Sequence, residues 1–103
     1  MPAPGRARLD TPTGQSYSLQ PAGSTLGRAP ECEIVLASTQ VSRRHATIRQ
    51  ETMAWSIKDL GSSNGTFLNG ERLEANVSYR LGAGDQIVLG GYGGENLTFT
   101  IEP

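Results

Sequence analysis

The chain has 103 residues, a formal net charge of −1 from nine basic and ten acidic residues, and a single cysteine, Cys32. This length fits one domain, while the charge offers no general field for holding a nucleic-acid backbone or an anionic membrane. A lone cysteine excludes an internal disulfide and is typical of a reducing compartment, and the sequence has no Cys/His cluster for a structural zinc.

The start of the chain contains no apolar segment of a secretory signal, and no stretch approaches the roughly 18 consecutive apolar residues of a membrane span. We therefore expect a soluble, cytoplasmic protein without a metal or other cofactor. We expect residues 1–103 to form a single domain, with the proline-rich residues 1–6 as a flexible tail.

Apolar residues alternate with polar ones along the chain, which is the periodicity of β-strands. No window keeps the spacing of an amphipathic helix, and thirteen glycines and six prolines interrupt the chain every few residues. The pattern predicts an all-β fold, a two-sheet antiparallel β-sandwich of about eleven strands. In chain order, the predicted inward-facing residues are Tyr17, Leu19, Ile34, Leu36, Ala46, Ile48, Met53, Trp55, Ile57, Val77, Tyr79, Leu81, Ile87, Leu89, Leu97, Phe99 and Ile101.

The clearest turn in the sequence is Asn69-Gly70, which lies between Thr66-Phe67-Leu68 and Glu71-Arg72-Leu73. A two-residue type I′ turn needs positive φ at both central positions, and Asn followed by Gly adopts that conformation at the lowest cost. We therefore predict a small β-hairpin here.

Three predicted loops carry donors for an anion. The first is Gly27-Arg28, at the end of a short strand, and the second is Val41 to His45, which reads V-S-R-R-H. The third is Gly61 to Gly65, which reads G-S-S-N-G. Its hydroxyls, backbone N–H groups and glycines are the parts of a neutral anion cradle. Each loop taken alone is equally typical of a solvated surface loop.

Taken together and in order, Gly27-Arg28, Ser42-Arg43-Arg44-His45 and Ser62-Ser63-Asn64-Gly65-Thr66 resemble the motifs of the forkhead-associated (FHA) domain family. The resemblance extends from about Leu19 to Ile101. It implies a sandwich of about eleven strands whose loops, at one end, bind phosphothreonine in a partner protein. It also implies that the domain is not an enzyme and that a Ser/Thr kinase acts upstream of it.

The resemblance also implies a set of ligand contacts. Arg28 and Ser42 would bind the phosphate with help from Ser63 and Arg43, and Asn64 would hold the main chain of the peptide. Residue chemistry agrees with this, because a phosphothreonine brings about −1.5 to −2 charges and three acceptor oxygens, which suit a guanidinium, hydroxyls and N–H groups.

Three further residues have a structural role by the same resemblance: the His45 ring would tie two binding loops together, and Gly27 and Gly65 would give the backbone room. Neighbouring residues of a strand point in opposite directions, so at most one of Arg43 and Arg44 should face the ligand. We assign that position to Arg43.

The same residues also suggest an enzyme, because Ser42 precedes His45 by three residues and Asp59 or Asp85 could complete a nucleophilic triad. The serine lacks a G-x-S-x-G context, and an all-β domain of this size has little room for a cleft. The main alternative function is not enzymatic and needs no phosphate. It is that of a scaffold or self-association domain with the same fold.

Peptide preference should depend on side chains that flank the phosphate cradle. In the FHA family the third residue after the phosphothreonine is often read by the loop just before the serine of the Ser-x-x-His motif. That position places Thr39 and Gln40 as polar specificity candidates in this chain.

Overall fold

A computed structural model describes residues 6–91 and 93–102. These residues form eleven β-strands and no helix, which confirms the predicted fold class; among them there is accordingly no helix that could span a membrane. Of the predicted tail, residues 1–5 lie outside the described part, and Arg6 is exposed. The strands are β1 (Ala7–Asp10), β2 (Ser16–Ser18), β3 (Ser24–Gly27), β4 (Ile34–Val35), β5 (Ala46–Glu51), β6 (Ala54–Asp59), β7 (Thr66–Leu68), β8 (Glu71–Arg72), β9 (Ser78–Leu81), β10 (Gln86–Leu89) and β11 (Glu95–Ile101).

The strands are arranged in two sheets. A six-stranded sheet has the order β2-β1-β11-β10-β7-β8, and a five-stranded sheet has the order β4-β3-β5-β6-β9. The prediction of antiparallel pairing was wrong for β3 and β4, which run parallel with Leu26 opposite Ile34. Alternating hydrophobicity reports which side of a strand is buried but not the direction of its neighbour, so the sequence pattern could not distinguish the two pairings.

The core lies between the two sheets. Trp55 is buried and its ring lies 6.1 Å from that of Phe99, centroid to centroid, which confirms Trp55 as a core residue. Alternation along the strands placed most of the core correctly. The predicted inward-facing residues that are buried are Leu19, Ile34, Leu36, Ala46, Ile48, Trp55, Ile57, Leu81, Ile87, Leu89, Leu97 and Phe99.

Three residues predicted to face inward are exposed instead: Met53 by 51 %, Val77 by 41 % and Ile101 by 36 %. Each lies at the end of a strand or just outside it, where the alternation continues in the sequence but the opposing sheet does not cover it. The prediction also missed β1, whose Leu9 is fully buried. This strand was overlooked because it begins directly after the proline-rich start of the chain.

The hairpin at Asn69-Gly70 is confirmed. Strands β7 and β8 pair antiparallel with Leu68 opposite Glu71, and Asn69 and Gly70 have φ of 50° and 88°, as a type I′ turn requires. The Asn69 side-chain oxygen also accepts a hydrogen bond from the Gln86 N–H at 2.9 Å. The turn therefore fixes β7 against β10, and β7 begins directly after the third predicted loop.

Candidate functional site

The three predicted loops meet at one end of the sandwich. The Arg28 N–H donates to the Ser42 carbonyl at 3.0 Å, and the Ser42 hydroxyl accepts from the Ser63 N–H at 3.1 Å. Ser42 thus lies between the other two residues and connects their loops. Sequence reasoning grouped Arg28, Ser42 and Ser63 from their motifs, and the structure places them next to one another.

The Arg28 side chain is oriented by the backbone of the second loop. Its Nε–H donates to the Val41 carbonyl at 2.5 Å, and the residue is otherwise exposed. Among the described residues no carboxylate forms an ion pair with it. Because Nε is held by the backbone, the two terminal amino groups of the guanidinium remain free to bind an anion from solution.

The His45 ring is fully buried and connects two loops. Its Nδ1 accepts from the Ser42 N–H at 3.0 Å, and its Nε2 lies 2.8 Å from the Gly65 carbonyl. Since Nδ1 is the acceptor, Nε2 carries the proton and donates to Gly65. Both ring nitrogens are occupied by backbone groups, so the ring cannot act as a base toward the Ser42 hydroxyl.

The protonation of His45 makes stability depend on pH. Burial lowers its pKa below 6.5, although the Gly65 carbonyl and the Asp59 charge act in the opposite direction. The unfolded chain therefore takes up this proton first, so stability is complete above pH 6.5 and is lost as pH falls toward the lower pKa of the folded state.

We expect the melting temperature to fall progressively below pH 6.5. His45 is the single histidine in the sequence, so the slope in this range should disappear in His45→Gln, whatever the absolute stability of that variant. Thermal denaturation of both proteins across pH 7.5 to about 5 measures it. An identical slope in the two proteins would contradict the assignment.

Asp59 organises the third loop and was missed as a site residue by sequence reasoning. Its buried carboxylate accepts from the N–H groups of Gly61 and Ser62 at 2.9 and 3.0 Å, from the Ser62 hydroxyl at 2.5 Å and from the Thr66 hydroxyl at 2.7 Å. Burial alone would raise the pKa of Asp59, but these hydrogen bonds outweigh it and lower the pKa. The signal in the sequence was an Asp two residues before the Ser/Gly-rich segment that begins at Gly61, a common Asx-type cap.

Asn64 and Gln40 contact each other across the second and third loops. The Asn64 side-chain N–H donates to the Gln40 carbonyl at 3.0 Å and lies 3.3 Å from the Gln40 side-chain oxygen. Thr39 is exposed beside them. Gln40 also packs on Gly90, where a Cβ would lie 2.5 Å from its carbonyl oxygen. Gly90 was another residue that the sequence did not single out.

The two predicted glycines lie at close approaches. A Cβ on Gly27 would lie 2.1 Å from the Arg43 carbonyl oxygen, and one on Gly65 would lie 2.8 Å from the Arg72 Nε. Gly65 also has φ of +91°, a conformation that disfavours other residues. Both therefore permit contacts within the fold. Arg72, which lies against Gly65 and 6.0 Å from the centre of the Phe67 ring, was not predicted.

Arg43 differs from Arg28 because its charge already has a partner. Its Nη2 lies 3.7 Å from the Glu31 carboxylate, with both side chains more than half exposed. Its backbone carbonyl accepts from the Ala29 N–H at 3.0 Å and from the Cys32 thiol at 3.2 Å. Cys32 is buried, and that burial raises the pKa of its thiol. The structure thus places the Arg43 side chain toward Glu31, although an exposed ion pair of this length is weak.

The cluster as a whole can bind an anion without a metal. It offers one guanidinium, the hydroxyls of Ser42 and Ser63, and the amide of Asn64 at an exposed rim, while Asp59 and His45 are turned into the protein. The described residues contain no group of His, Cys, Asp and Glu side chains that could hold a metal ion. A tetrahedral, doubly charged ligand suits these donors best.

Comparisons with known proteins agree on one family. A family model described as FHA domain matches residues 24–90. The transcriptional regulatory protein EmbR of Mycobacterium tuberculosis is 41 % identical over 78 residues, which cover 76 % of this chain and 20 % of EmbR. The glycogen accumulation regulator GarA of the same organism is 38 % identical over 77 residues, which cover 75 % of this chain and 46 % of GarA. The chain thus spans less than half the length of these two curated relatives.

Solved structures give the same result. EmbR in complex with a low-affinity phosphopeptide has a TM-score of 0.85 at 35 % identity, covering 95 % of this chain and 25 % of that one. The N-terminal FHA domain of S. cerevisiae Rad53p in complex with a phosphothreonine peptide has a TM-score of 0.81 at 27 % identity, covering 94 % of each chain.

Proposed function

The chain belongs to the FHA domain family, and from that premise we propose that it is a recognition module that docks partner proteins through a phosphorylated threonine. The observation that carries the proposal is the hydrogen-bonded contact of Arg28, Ser42 and Ser63, which come from three separate loops. These two hydrogen bonds bring the three loops together, and Arg28 and Ser63 are exposed there, which supports a shared phosphate site.

Arg28 and Ser42 are the proposed primary phosphate ligands. The terminal amino groups of Arg28 are free to form a charge-assisted pair with two phosphate oxygens. The Ser42 hydroxyl uses a lone pair for the Ser63 N–H, so its own proton remains available for a third oxygen. The exposed hydroxyl of Ser63 is a further donor to the phosphate. Arg43 would also contact the phosphate after its weak ion pair with Glu31 breaks.

Asn64 is the proposed anchor for the peptide main chain. Its side chain is exposed, and Nδ2 donates to the Gln40 carbonyl and to the Gln40 side-chain oxygen. Among the described residues the amide oxygen accepts no hydrogen bond, so it can accept one from a peptide N–H, and the 3.3 Å bond to the Gln40 side chain can be exchanged for one to a peptide carbonyl. His45, Asp59 and Gly65 support the site from within, since they hold the loops and do not reach the ligand.

The phosphate contacts supply the part of the affinity that depends on phosphorylation. Hydrogen bonds to charged groups contribute about 1.5–3 kcal/mol each, so two or three of them contribute about 3–9 kcal/mol. Micromolar binding, at about −8 kcal/mol net of the cost of association, also requires the contacts of Asn64 with the peptide main chain. A domain of net charge −1 can therefore capture a phosphopeptide without a large basic surface.

A titration with a matched pair of peptides tests the function. We expect a phosphothreonine peptide to bind with micromolar affinity and its unphosphorylated twin to bind at least about 100-fold more weakly. Isothermal titration calorimetry measures both. Equal affinities would contradict the proposal and favour a phosphate-independent scaffold, and turnover of the peptide would favour an enzyme.

The proposed partners follow from the ligand. A phosphothreonine must be supplied by an upstream Ser/Thr kinase, so the partner is a protein phosphorylated in the same compartment. We propose that this compartment is the cytoplasm, and that neither nucleic acid nor a membrane is the primary target, since binding rests on one guanidinium and a few hydroxyls. No cofactor takes part.

Gln40 is the proposed specificity residue, with Thr39 beside it. Its side chain contacts Asn64, so it lies where the peptide backbone would pass. We expect Gln40→Arg to raise the preference for an acidic residue near the phosphothreonine by up to about fivefold, the effect of one exposed ion pair. A phosphothreonine peptide library screened against both proteins measures it. An unchanged preference would remove Gln40 from this role.

A further inference from the structure

A second surface of the domain carries unneutralised positive charge. It is the outward side of the five-stranded sheet, here called the outer basic face. Strand pairing places Arg49 opposite Ser56 and Ser56 opposite Arg80. The adjacent row pairs Thr47 with Lys58 and Lys58 with Ser78. Residues between them in the strands, such as Ile48 and Ile57, are fully buried, so these six side chains point to solvent.

The positive charge on the outer basic face is only partly balanced. Arg49 lies 3.5 Å from the Glu51 carboxylate, which also accepts from the Ser56 hydroxyl at 2.6 Å. Among the described residues Lys58 and Arg80 have no carboxylate within ion-pair distance. The opposite sheet is different, because Arg8 there pairs with Asp10 at 2.9 Å and with Glu102 at 3.2 Å.

The face also starts at the binding end of the sandwich. Lys58 directly precedes Asp59, whose carboxylate holds the third loop. Arg49 and Arg80 lie one row further along, about 7 Å away at the rise of a β-strand. A polypeptide chain held at the phosphate cradle needs only a few extended residues to reach this distance.

We propose that the outer basic face is an auxiliary docking surface for an acidic segment of the same phosphorylated partner. The inference rests on the proposed function, because phosphothreonine capture brings the segment to the face. The six side chains include neither an aromatic ring to stack on a base nor an apolar residue to enter a membrane. Cations interleaved with hydroxyls fit Asp and Glu side chains of an extended polypeptide.

The test uses three peptides. The first is a short phosphothreonine peptide, the second adds an Asp/Glu tract through a Gly/Ser linker, and the third carries Asn/Gln in that tract. The extension is placed at the N-terminus in one series and at the C-terminus in another. We expect the acidic tract at one end to tighten binding about three- to tenfold over its neutral twin at low salt, with the gain falling as salt screens it.

Double variants test whether the tighter binding of the acidic peptide comes from the outer basic face. The gain should vanish in Lys58→Gln/Arg80→Gln and persist in Arg6→Gln/Arg8→Gln, which removes the same number of positive charges from β1 of the other sheet and from the residue directly before it. The short phosphopeptide should bind all three proteins equally. A charge-reversed Lys58→Glu/Arg80→Glu protein should instead prefer a lysine tract, which shows that a folded variant has changed its partner.

Three outcomes would overturn the inference. No gain at either end, or a gain that survives Lys58→Gln/Arg80→Gln, removes the docking surface while leaving the phosphothreonine site intact. Binding of duplex DNA or phosphatidylserine vesicles that is lost in this variant, without an effect on the acidic peptide, assigns the face to another ligand. Failure of the short phosphopeptide to bind wild-type protein rejects the proposed function and this inference with it.

Discussion

Replacing Arg28 by alanine is expected to weaken phosphopeptide binding at least about 30-fold, with little loss of fold stability. The guanidinium would supply two charge-assisted hydrogen bonds to the phosphate, worth about 2 kcal/mol or more together, and its side chain is exposed. The variant also loses the hydrogen bond from Nε to the Val41 carbonyl. Because this bond belongs to an exposed side chain, the melting temperature should change little. Calorimetric titration and thermal denaturation measure the two effects.

The matched control is Arg49→Ala, which removes the same charge from an exposed arginine on the sheet. It should leave binding of a short phosphopeptide unchanged. Arg28→Lys should recover only part of the affinity, because an ammonium group cannot form the paired contacts of a guanidinium. If Arg28→Ala binds as tightly as wild type, the phosphate lies elsewhere.

Asp59→Asn is expected to lower the free energy of unfolding by about 2–4 kcal/mol and to weaken phosphopeptide binding about tenfold or more. The carboxylate accepts four hydrogen bonds within the third loop, and bonds to a charged acceptor are the strong ones. In the variant an NH2 group replaces one carboxylate oxygen. It would face the hydrogen-bond donors of the loop and leave them without an acceptor. Urea denaturation and calorimetric titration check the two effects separately.

The same substitution at Asp85 is the control for this loop. Asp85 accepts from the Gly82 N–H at 2.7 Å and from the Asn69 side chain at 3.1 Å. It directly precedes β10, and the candidate site lies at the opposite end of that strand, where Gly90 is next to Gln40. Asp85→Asn should therefore reduce stability without weakening binding. Equal loss of binding in both variants would show that Asp59 acts through global stability alone.

The sequence predicted the strands better than their ends. Ile87 and Leu89 are buried as alternation required, because a strand covered on one face has to place every second side chain in the core. Met53 follows the same pattern and is exposed, because Thr52 just before it has a φ of 58° and turns the chain. The alternation of apolar residues indicates which face of a strand is buried, but it does not indicate where the strand stops pairing with its neighbours.

Motif order identified the proposed binding residues and three supporting ones, His45, Gly27 and Gly65, but not Asp59 or Gly90. Arg28, Ser42 and Asn64 are exposed or half-buried polar residues in loops, and only their joint occurrence distinguished them from ordinary surface groups. Asp59 has its partners within the next seven residues, so its turn could have been recognised from the sequence. Gly90 lies against Gln40, which is distant in the chain, and nothing local in the sequence indicates that contact.

The sequence by itself determined an all-β sandwich, the type I′ hairpin at Asn69-Gly70 and the kind of ligand that three donor loops would suit, because periodicity, turn geometry and residue chemistry are local properties. Only the tertiary structure decided that Arg28, Ser42 and Ser63 meet, that β3 and β4 run parallel, and that Gly90 lies against Gln40. These features depend on contacts between residues distant in the chain, whose hydrogen bonds and burial exist only once both sheets have packed.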